Sequence, residues 1–406
     1  MTTFSHTKGF PVVAVVGLVW LACGAGDWFM RFHRYRWGDT LVWRSPAIIA
    51  GPAMPMQQWD IPETRGGDLT GFLALDYVAR RFEQTRPAYT DYSDEAGYRN
   101  VPPTAGRNFP VIVVGSSYMY VGAPMTNMFS ERLAAAAHVP VYNHASQAHG
   151  PFQDLLLFFE KGRFADRLPR VLIWGIVERE MRGEDFENMS LQLSDTGKPR
   201  KIVNMRSIIA WGNLAPRVVK QTLPNSSVIA QVSARWWNIL RYALLGGVAP
   251  DVAISQGWPR DGEILFYTPA LRAMKQSPSE RAVDKVVAVI EKVKEYARER
   301  GITLVVLLIP DKEQVYREYL PDYLKNPPGS IPPSCLDEIE SGLRSLGAHV
   351  VNLLPLFRER AAAGQLIYWR DDTHWNGEAS GLAAEACLLE IAPLLAAAPD
   401  APRTGR

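Results

Sequence analysis

The sequence predicts an α/β domain, a parallel sheet flanked by helices, preceded by one N-terminal transmembrane helix. Three observations predict it. Short apolar runs end in glycine-rich or polar loops, stretches with helical apolar spacing separate those runs, and a charge-free apolar run stands near the N-terminus. Strands buried on both faces read as near-continuous hydrophobic runs, and their alternation with helices gives a parallel sheet. With 406 residues, 47% hydrophobic and 21% charged, the chain can bury a large core in one enlarged domain or two ordinary ones. A net charge of +2 leaves no footprint for nucleic acid as a partner.

The first element is the run Phe10 to Gly26, FPVVAVVGLVWLACGAG, preceded by Lys8 and followed by the aromatic and basic DWFMRFHRYRW. At about 1.5 Å per residue it spans most of a hydrocarbon core of roughly 30 Å, with Trp28 and Phe29 at the far interface. Residues 1–37 therefore read as a signal-anchor helix and an interfacial segment. The alternative is a cleaved signal peptide, which the small residues Ala22 to Gly26 would suit. Arg31, Arg34 and Arg36 outnumber Lys8 and, by the positive-inside rule, favour a cytoplasmic downstream side. Their interleaving with Trp28, Phe29, Phe32, Tyr35 and Trp37 suits a segment lying along headgroups on either side. Residues 38–108, rich in Pro, Gly and Arg, read as an extended connecting region that wraps the main domain.

Residues 109–406 carry the alternation. Candidate strands lie in FPVIVVGSSYMYVG from Phe109, VPVYNHAS from Val139, RVLIWGIVERE from Arg170, ITLVVLLIPDKEQVY from Ile302 and AHVVNLLPLF from Ala348. Candidate helices cover Met125 to Ala137, Asp154 to Phe164 and the stretch from Ser279, where Ser279 can cap, Val283, Val286, Val287, Ile290 and Val293 form a stripe, and Gly301 stops the helix. An insertion at about 181–270 interrupts the pattern. Within it Val228, Val232, Trp236, Ile239, Leu240 and Leu244 can form an amphipathic helix that packs on the core or meets a membrane surface or partner. Cys335 and Cys387 can pair if they meet in space.

The chemistry concentrates in IYWRDDTHWNGEASGLAAE, Ile367 to Glu385. It reads either as a polar loop capping the next helix or as the acid and base of a catalytic triad. A serine hydroxyl needs a base within hydrogen-bond reach, itself oriented by a carboxylate. His374 supplies the base, with Asp372 or Asp371 as the acid, and Asp371 keeps the Asp-x-x-His spacing. Ser117 is the best placed serine, because Gly115 lets the chain turn tightly at a strand end while the hydroxyl faces the crevice. Ser116 is second. The Gly-x-Ser-x-Gly elbow of the α/β-hydrolases is absent from this stretch. His144, His149, Asp372 and His374 could gather round zinc, but His144 and His149 share neither a helical face nor a strand face, and no metal is assigned. Trp375 reads as a packing residue that fixes the His374 loop.

Taken together, VIVVGSSYMY, VYNHASQAHGPFQDLL, PRVLIWGIVERE, IPDKEQVY and YWRDDTHWN resemble the successive blocks of the SGNH-type polysaccharide O-acetyltransferases, the alginate acetylation (AlgX/AlgJ-like) group, over roughly residues 93 to 390. The resemblance implies an SGNH-hydrolase-like fold with Ser117 as nucleophile, Asp372 as orienting acid and His374 as base, and it sets Tyr118 beside the substrate. Two features depart from the group. The acid–histidine element follows the serine here, as in ordinary SGNH hydrolases and the membrane-anchored D-alanyl transfer proteins, and the usual block-three asparagine has no counterpart near WGIVEREM. Acyl transfer needs preorganised oxyanion donors. The backbone N–H groups of Ser117 and Gly150 are candidates, Arg179 takes the asparagine's place, binds substrate or forms a salt bridge with a neighbouring acid, and Lys312 lines the rim.

The resemblance further implies an enzyme without a cofactor that moves an acetyl group onto an exported polysaccharide. Its domain would lie in the periplasm, held to the inner membrane by the N-terminal helix, with the acetyl donor delivered by a multispanning membrane O-acyltransferase. A carbohydrate esterase shares the same acyl-enzyme chemistry. A non-catalytic polysaccharide assembly protein, holding its partner through residues 181–270, is the alternative from another class.

Overall fold

The computed structural model describes residues 56–70, 81–146, 150–160, 164, 166–182, 252–275, 280–325 and 333–396, with Leu18, Ala22, Ala25, Leu240 and Leu244 besides. The chain divides into two compact units, 1–45 with 202–247, and 46–201 with 248–406. The second unit carries the elements that follow. The N-terminal apolar run, Ser279 and the amphipathic stretch 228–244 fall outside the described residues, apart from the isolated positions named.

The described residues of 56–108 include two small antiparallel ribbons. In one, β1 (Gln58–Ile61) pairs with β4 (Tyr89–Tyr92); in the other, β2 (Thr64–Arg65) pairs with β3 (Thr85–Arg86). Strands of two to four residues, broken by Pro62, Gly66, Gly67 and Pro87, leave no alternation to read in the sequence. Buried Arg99 fastens this strap to the chain just after β5, at residues 120–122. Its Nε donates to Asp91 in β4 at 2.7 Å, while Nη1 and Nη2 donate to the carbonyls of Tyr120 and Gly122 at 2.9 and 2.7 Å.

The predicted strands form one parallel sheet of five, in the order β11-β10-β7-β5-β6. Its members are β5 (Val111–Gly115), β6 (Val141–Asn143), β7 (Val171–Val177), β10 (Thr303–Ile309) and β11 (His349–Asn352). All of β5 and β7 is buried, as a sheet covered on both faces requires. Strand β8 (Val252–Ile254) forms a separate antiparallel pair with β9 (Leu265–Tyr267) inside the region read as an insertion. The chain starts the large sheet at β5, crosses to β6 on one side and returns past β5 to β7 on the other. The carboxyl ends of β5 and β7 thus flank a switch point, where open α/β sheets hold ligands.

Helices cover the sheet: α1 (Ser117–Tyr120), α2 (Phe129–Ala137), α3 (Gly150–Glu160), α4 (Thr268–Lys275), α5 (Glu280–Arg298), α6 (Lys312–Val315), α7 (Leu336–Ser345), α8 (Leu354–Ala362) and α9 (Gly377–Ala396). Two starts differ from the sequence reading. Met125–Asn127 is a separate 3-10 turn ahead of α2. Helix α3 begins at Gly150 because Asp154 serves from inside it, accepting the Ser146 N–H and hydroxyl at 2.6 and 3.0 Å. Helix α9 is long and apolar enough to cross a membrane, yet Leu382, Ala383, Ala384, Cys387 and Ile391 are buried in the core. Cys335 and Cys387 are both buried thiols and are not joined, so the disulfide left open by the sequence does not form.

Gly115 ends β5 with φ +146°, opposite Gly175 in β7. A Cβ there would run into the backbone carbonyl of Gly175. Since the obstacle is backbone in a central strand, it cannot swing aside. We expect Gly115→Ala to lower stability by about 3 kcal/mol, from strain and overpacking together, read as a lower urea midpoint at unchanged slope. An unshifted midpoint would rule this account out.

Candidate active site

The turn at Gly115 delivers two serines with opposite fates. Ser116 donates its N–H to the Gly175 carbonyl at 3.1 Å, and its side chain is buried without a hydrogen-bond partner. Ser117, the first residue of α1, is partly exposed, and its Oγ lies 2.8 Å from His374 Nε2. As the first residue of a helix, Ser117 also has a backbone N–H without an intrahelical acceptor.

His374 comes from the loop between α8 and α9, pinched by a bridge between Tyr368 and Trp375 and by the Trp369 N–H donating to the His374 carbonyl at 3.1 Å. His374 Nδ1 is 2.7 Å from Asp372 Oδ1, which also accepts the His374 N–H at 3.0 Å. Ser117, His374 and Asp372 therefore form one continuous hydrogen-bonded relay. The loop is a helix cap as well: Asn376 Oδ1 accepts the N–H groups of Glu378 and Ala379 at 3.0 and 3.2 Å. Trp375 is buried and meets Tyr118 edge to face at 5.5 Å.

Asp371 faces the other way. Its Oδ2 accepts the Gln84 N–H at 2.7 Å, and Arg86 grips both its oxygens, at 3.3 and 3.0 Å. Of the two adjacent aspartates, only Asp372 contacts the imidazole. Arg86 also reaches Asp372 Oδ2 at 3.3 Å and stacks over Trp369 at 4.5 Å. Burial works to raise the Asp372 carboxyl, but the charge and hydrogen bonds of His374, with Arg86, outweigh it and hold the group well below the ordinary carboxylate range. For His374, burial works downward, and Asp372 and then Asp68 overcome it, so its affinity for a proton stands above that of a free imidazole.

Lys312 is buried rather than at the rim. The strand–helix turn after β10 carries it beneath the loop, where Nζ donates to the carbonyls of Trp369, Arg370 and Asp372 at 2.8, 3.1 and 3.0 Å. Burial pushes the ammonium down to about 8, against the pull of Glu313, Asp371 and Asp372. Tyr118 is likewise a brace, not a group beside an open pocket. It is buried, its hydroxyl donates to the Thr373 carbonyl at 2.5 Å, and its ring lies 4.9 Å from the imidazole.

Arg179 follows β7 and takes the salt-bridge option, with Nη1 2.6 Å from buried Asp311 and the guanidinium 5.5 Å over the Tyr118 ring. A quarter of its side chain, 23%, stays exposed beside this cluster. Gly150 opens α3, where helix N–H groups lack intrahelical acceptors. His149 lies outside the described residues, and His144 is buried in a stack on Tyr98 at 4.2 Å.

Sequence reasoning missed Asp68 and Arg86, both from the strap. Asp68 accepts the Thr373 N–H and hydroxyl at 2.8 and 2.5 Å, and its Oδ2 lies 3.7 Å from His374 Nδ1. Asp68, Asp372 and His374 come close enough to suggest a cation site. Yet the carboxylate oxygens accept from Thr373, His374, Arg86 and the Asp68 N–H, and Nδ1 is engaged by Asp372, so the donor set is that of a hydrogen-bond network. The Gly66-Gly67 pair was the available signal: a Cβ on Gly67 would strike the Asp371 carbonyl and the Asp372 side chain.

Comparisons with known proteins identify the family to which this fold belongs. The model of the SGNH hydrolase-like domain, acetyltransferase AlgX family matches residues 42–178 and 263–404. A probable alginate O-acetylase AlgJ of Pseudomonas putida is 32% identical over 120 residues, 28% of this chain and 30% of the relative. The Pseudomonas aeruginosa protein of the same description is 26% identical over 164 residues, 40% of this chain and 39% of the relative. The chain thus matches between three tenths and two fifths of the length of these relatives. With strap, sheet and relay loop all inside the family match, the chain belongs to the SGNH hydrolase-like AlgX acetyltransferase family.

Proposed function

We propose that the protein is a serine-dependent O-acetyltransferase that acetylates hydroxyls of an exported polysaccharide. The observation that carries this reading is the unbroken relay from Ser117 Oγ through His374 to Asp372. Membership of the acetyltransferase family and similarity to probable alginate O-acetylases support transfer over hydrolysis. In the first step Ser117 Oγ bonds to the acetyl carbon while His374 Nε2 takes its proton; His374 then returns that proton to the departing donor group. In the second a sugar hydroxyl gives its proton to Nε2 and its oxygen bonds to the acetyl carbon, and Ser117 leaves with the proton. Asp372 accepts from Nδ1 throughout and stabilises the imidazolium. The N–H groups of Ser117 and Gly150 and the guanidinium of Arg179 are the proposed oxyanion and substrate donors.

The charge-free run 10–26 supports a membrane anchor. We place the domain in the periplasm and assign acetyl delivery to a multispanning membrane O-acyltransferase, because acetyl-CoA is cytoplasmic while the acceptor is exported.

Wild-type protein should release p-nitrophenol from p-nitrophenyl acetate and, with acidic or neutral oligosaccharides, yield sugars heavier by one acetyl group in mass spectra. Ser117→Ala should lose at least roughly 10³-fold of this rate, and Asp372→Asn roughly 10³- to 10⁴-fold. A folded Ser117→Ala protein as active as wild type would refute the assignment. Because His374 must be neutral to accept a proton and its proton affinity is raised, the acid limb of the rate should lie above the ordinary imidazole value of about 6.5. A limb below that value contradicts the site's electrostatics.

Lys312→Met keeps the stem of the side chain but removes the donor that joins three loop carbonyls, of which those of Trp369 and Arg370 keep the N–H groups of Asp372 and Leu265. It should cost about 3 kcal/mol of stability and slow turnover even where the protein stays folded. Denaturant melts and initial rates on the same sample check both.

A further inference from the structure

Two carboxylates, not one, face the Nδ1 edge of His374. Asp372 Oδ1 makes the hydrogen bond at 2.7 Å, and Asp68 Oδ2 stands behind it at 3.7 Å. Asp68 is not in place by chance. Its two oxygens hold the Thr373 N–H and hydroxyl at 2.8 and 2.5 Å, and its own N–H donates to Asp372 Oδ2 at 3.1 Å. Gly67 brings this backbone onto the Asp371–Asp372 segment at a distance that no side chain at 67 would allow. Asp68 is therefore bonded to the residue before the histidine and to the acid two before it.

We propose that Asp68 is a positioning residue of the relay: it clamps Thr373 so that the imidazole edge faces Asp372, and its negative charge sets the proton affinity of His374. The proposal rests on the relay assignment above and adds to it a residue from the strap. Asp371, Asp372 and His374 lie on the loop beside Asp68, Arg86 stands on the far side of Asp372 from β3, Lys312 lies beneath the loop, and Arg179 and Glu180, the latter raised to about 7 by burial, act on His374 from the end of β7. Burial and then the neighbouring Asp372 push the Asp68 carboxyl up to about 6, against the pull of His374 and Thr373. Asp68 thus changes charge within the range where the relay works. With 34% of its side chain surface open, solvent screens part of this coupling.

The sign follows from the charges. An ionised Asp68 favours the imidazolium, so removing its charge makes His374 easier to deprotonate. Asp68→Asn keeps a carbonyl to accept from Thr373 and should move the acid limb of kcat/KM down by about half a unit to one unit, with a lower kcat from the weakened clamp. Asp68→Glu should restore the charge and return the limb toward wild type. A purely structural residue would change the rate and leave the limb in place.

The deciding experiment does not depend on turnover. In the Ser117→Ala background, the ring signals of His374 are followed by NMR against pH, with and without Asp68→Asn. We expect a secondary inflection near pH 6 that Asp68→Asn removes, together with a downward shift of the main titration. A single, unshifted His374 titration in both proteins overturns the proposal. If Asp68→Asn does not fold, the inflection in the protein carrying native Asp68 decides alone, and its absence is equally fatal. If esters are not turned over at all, the functional reading fails while the titration still tests Asp68.

Discussion

Three carboxylates crowd the relay loop, two of them at one imidazole edge, and the site depends on how their charge is compensated. Asp68, Asp371 and Asp372 would repel one another if left alone. Arg86 and Lys312 make the cluster tenable, each in the manner its chemistry allows. The planar guanidinium of Arg86 spans Asp371 and Asp372 at 3.0 and 3.3 Å while its face lies on Trp369, a combination a lysine cannot provide. The compact ammonium of Lys312 suits the space below the loop, where three carbonyls converge. One cation neutralises the side chains and the other organises the backbone that carries them.

This compensation frees Asp372 to serve the histidine. Asp371 takes the larger share of Arg86 and also holds the strap through Gln84, leaving one oxygen of Asp372 for His374. The two adjacent aspartates divide structural and chemical work between them. From the serine side, Tyr118 completes the frame. It follows the nucleophile in α1, and its hydroxyl bonds to the carbonyl of Thr373, so the same residue that carries Ser117 forward also fixes the histidine loop opposite. Close approach of β5 and β7 at Gly115 and Gly175 sets the base of this frame.

The sheet was legible because its strands are continuous apolar runs, and the relay was legible because a glycine-serine turn and an Asp-Asp-Thr-His loop are rare enough to notice. Asp68, Arg86 and Gln84 were not. They lie in strands of two residues or in turns, where no periodicity exists, and their partners stand about three hundred positions away: Asp68 and Asp372 are separated by 304 residues. Lys312 and Tyr118 were noticed but given the wrong task. A lysine in a Pro-Asp-Lys turn looks solvated, and nothing local shows that a distant loop will close over it. For Arg179 the sequence left a salt bridge open, and its partner, Asp311, sits 132 positions on.

The strap must therefore be counted with the catalytic machinery rather than with the connecting chain. Its contacts to the relay loop join the two ends of the domain across 304 and 305 positions, so the charge balance at Asp372 needs strap and loop together, a closure that costs chain entropy. The family match follows the same logic. It begins at residue 42, takes in the strap and both halves of the relay, and omits 179–262. The strap, β5 and the relay loop, which together fix the histidine, lie inside the match, and Arg179 stands at the first position beyond its first segment.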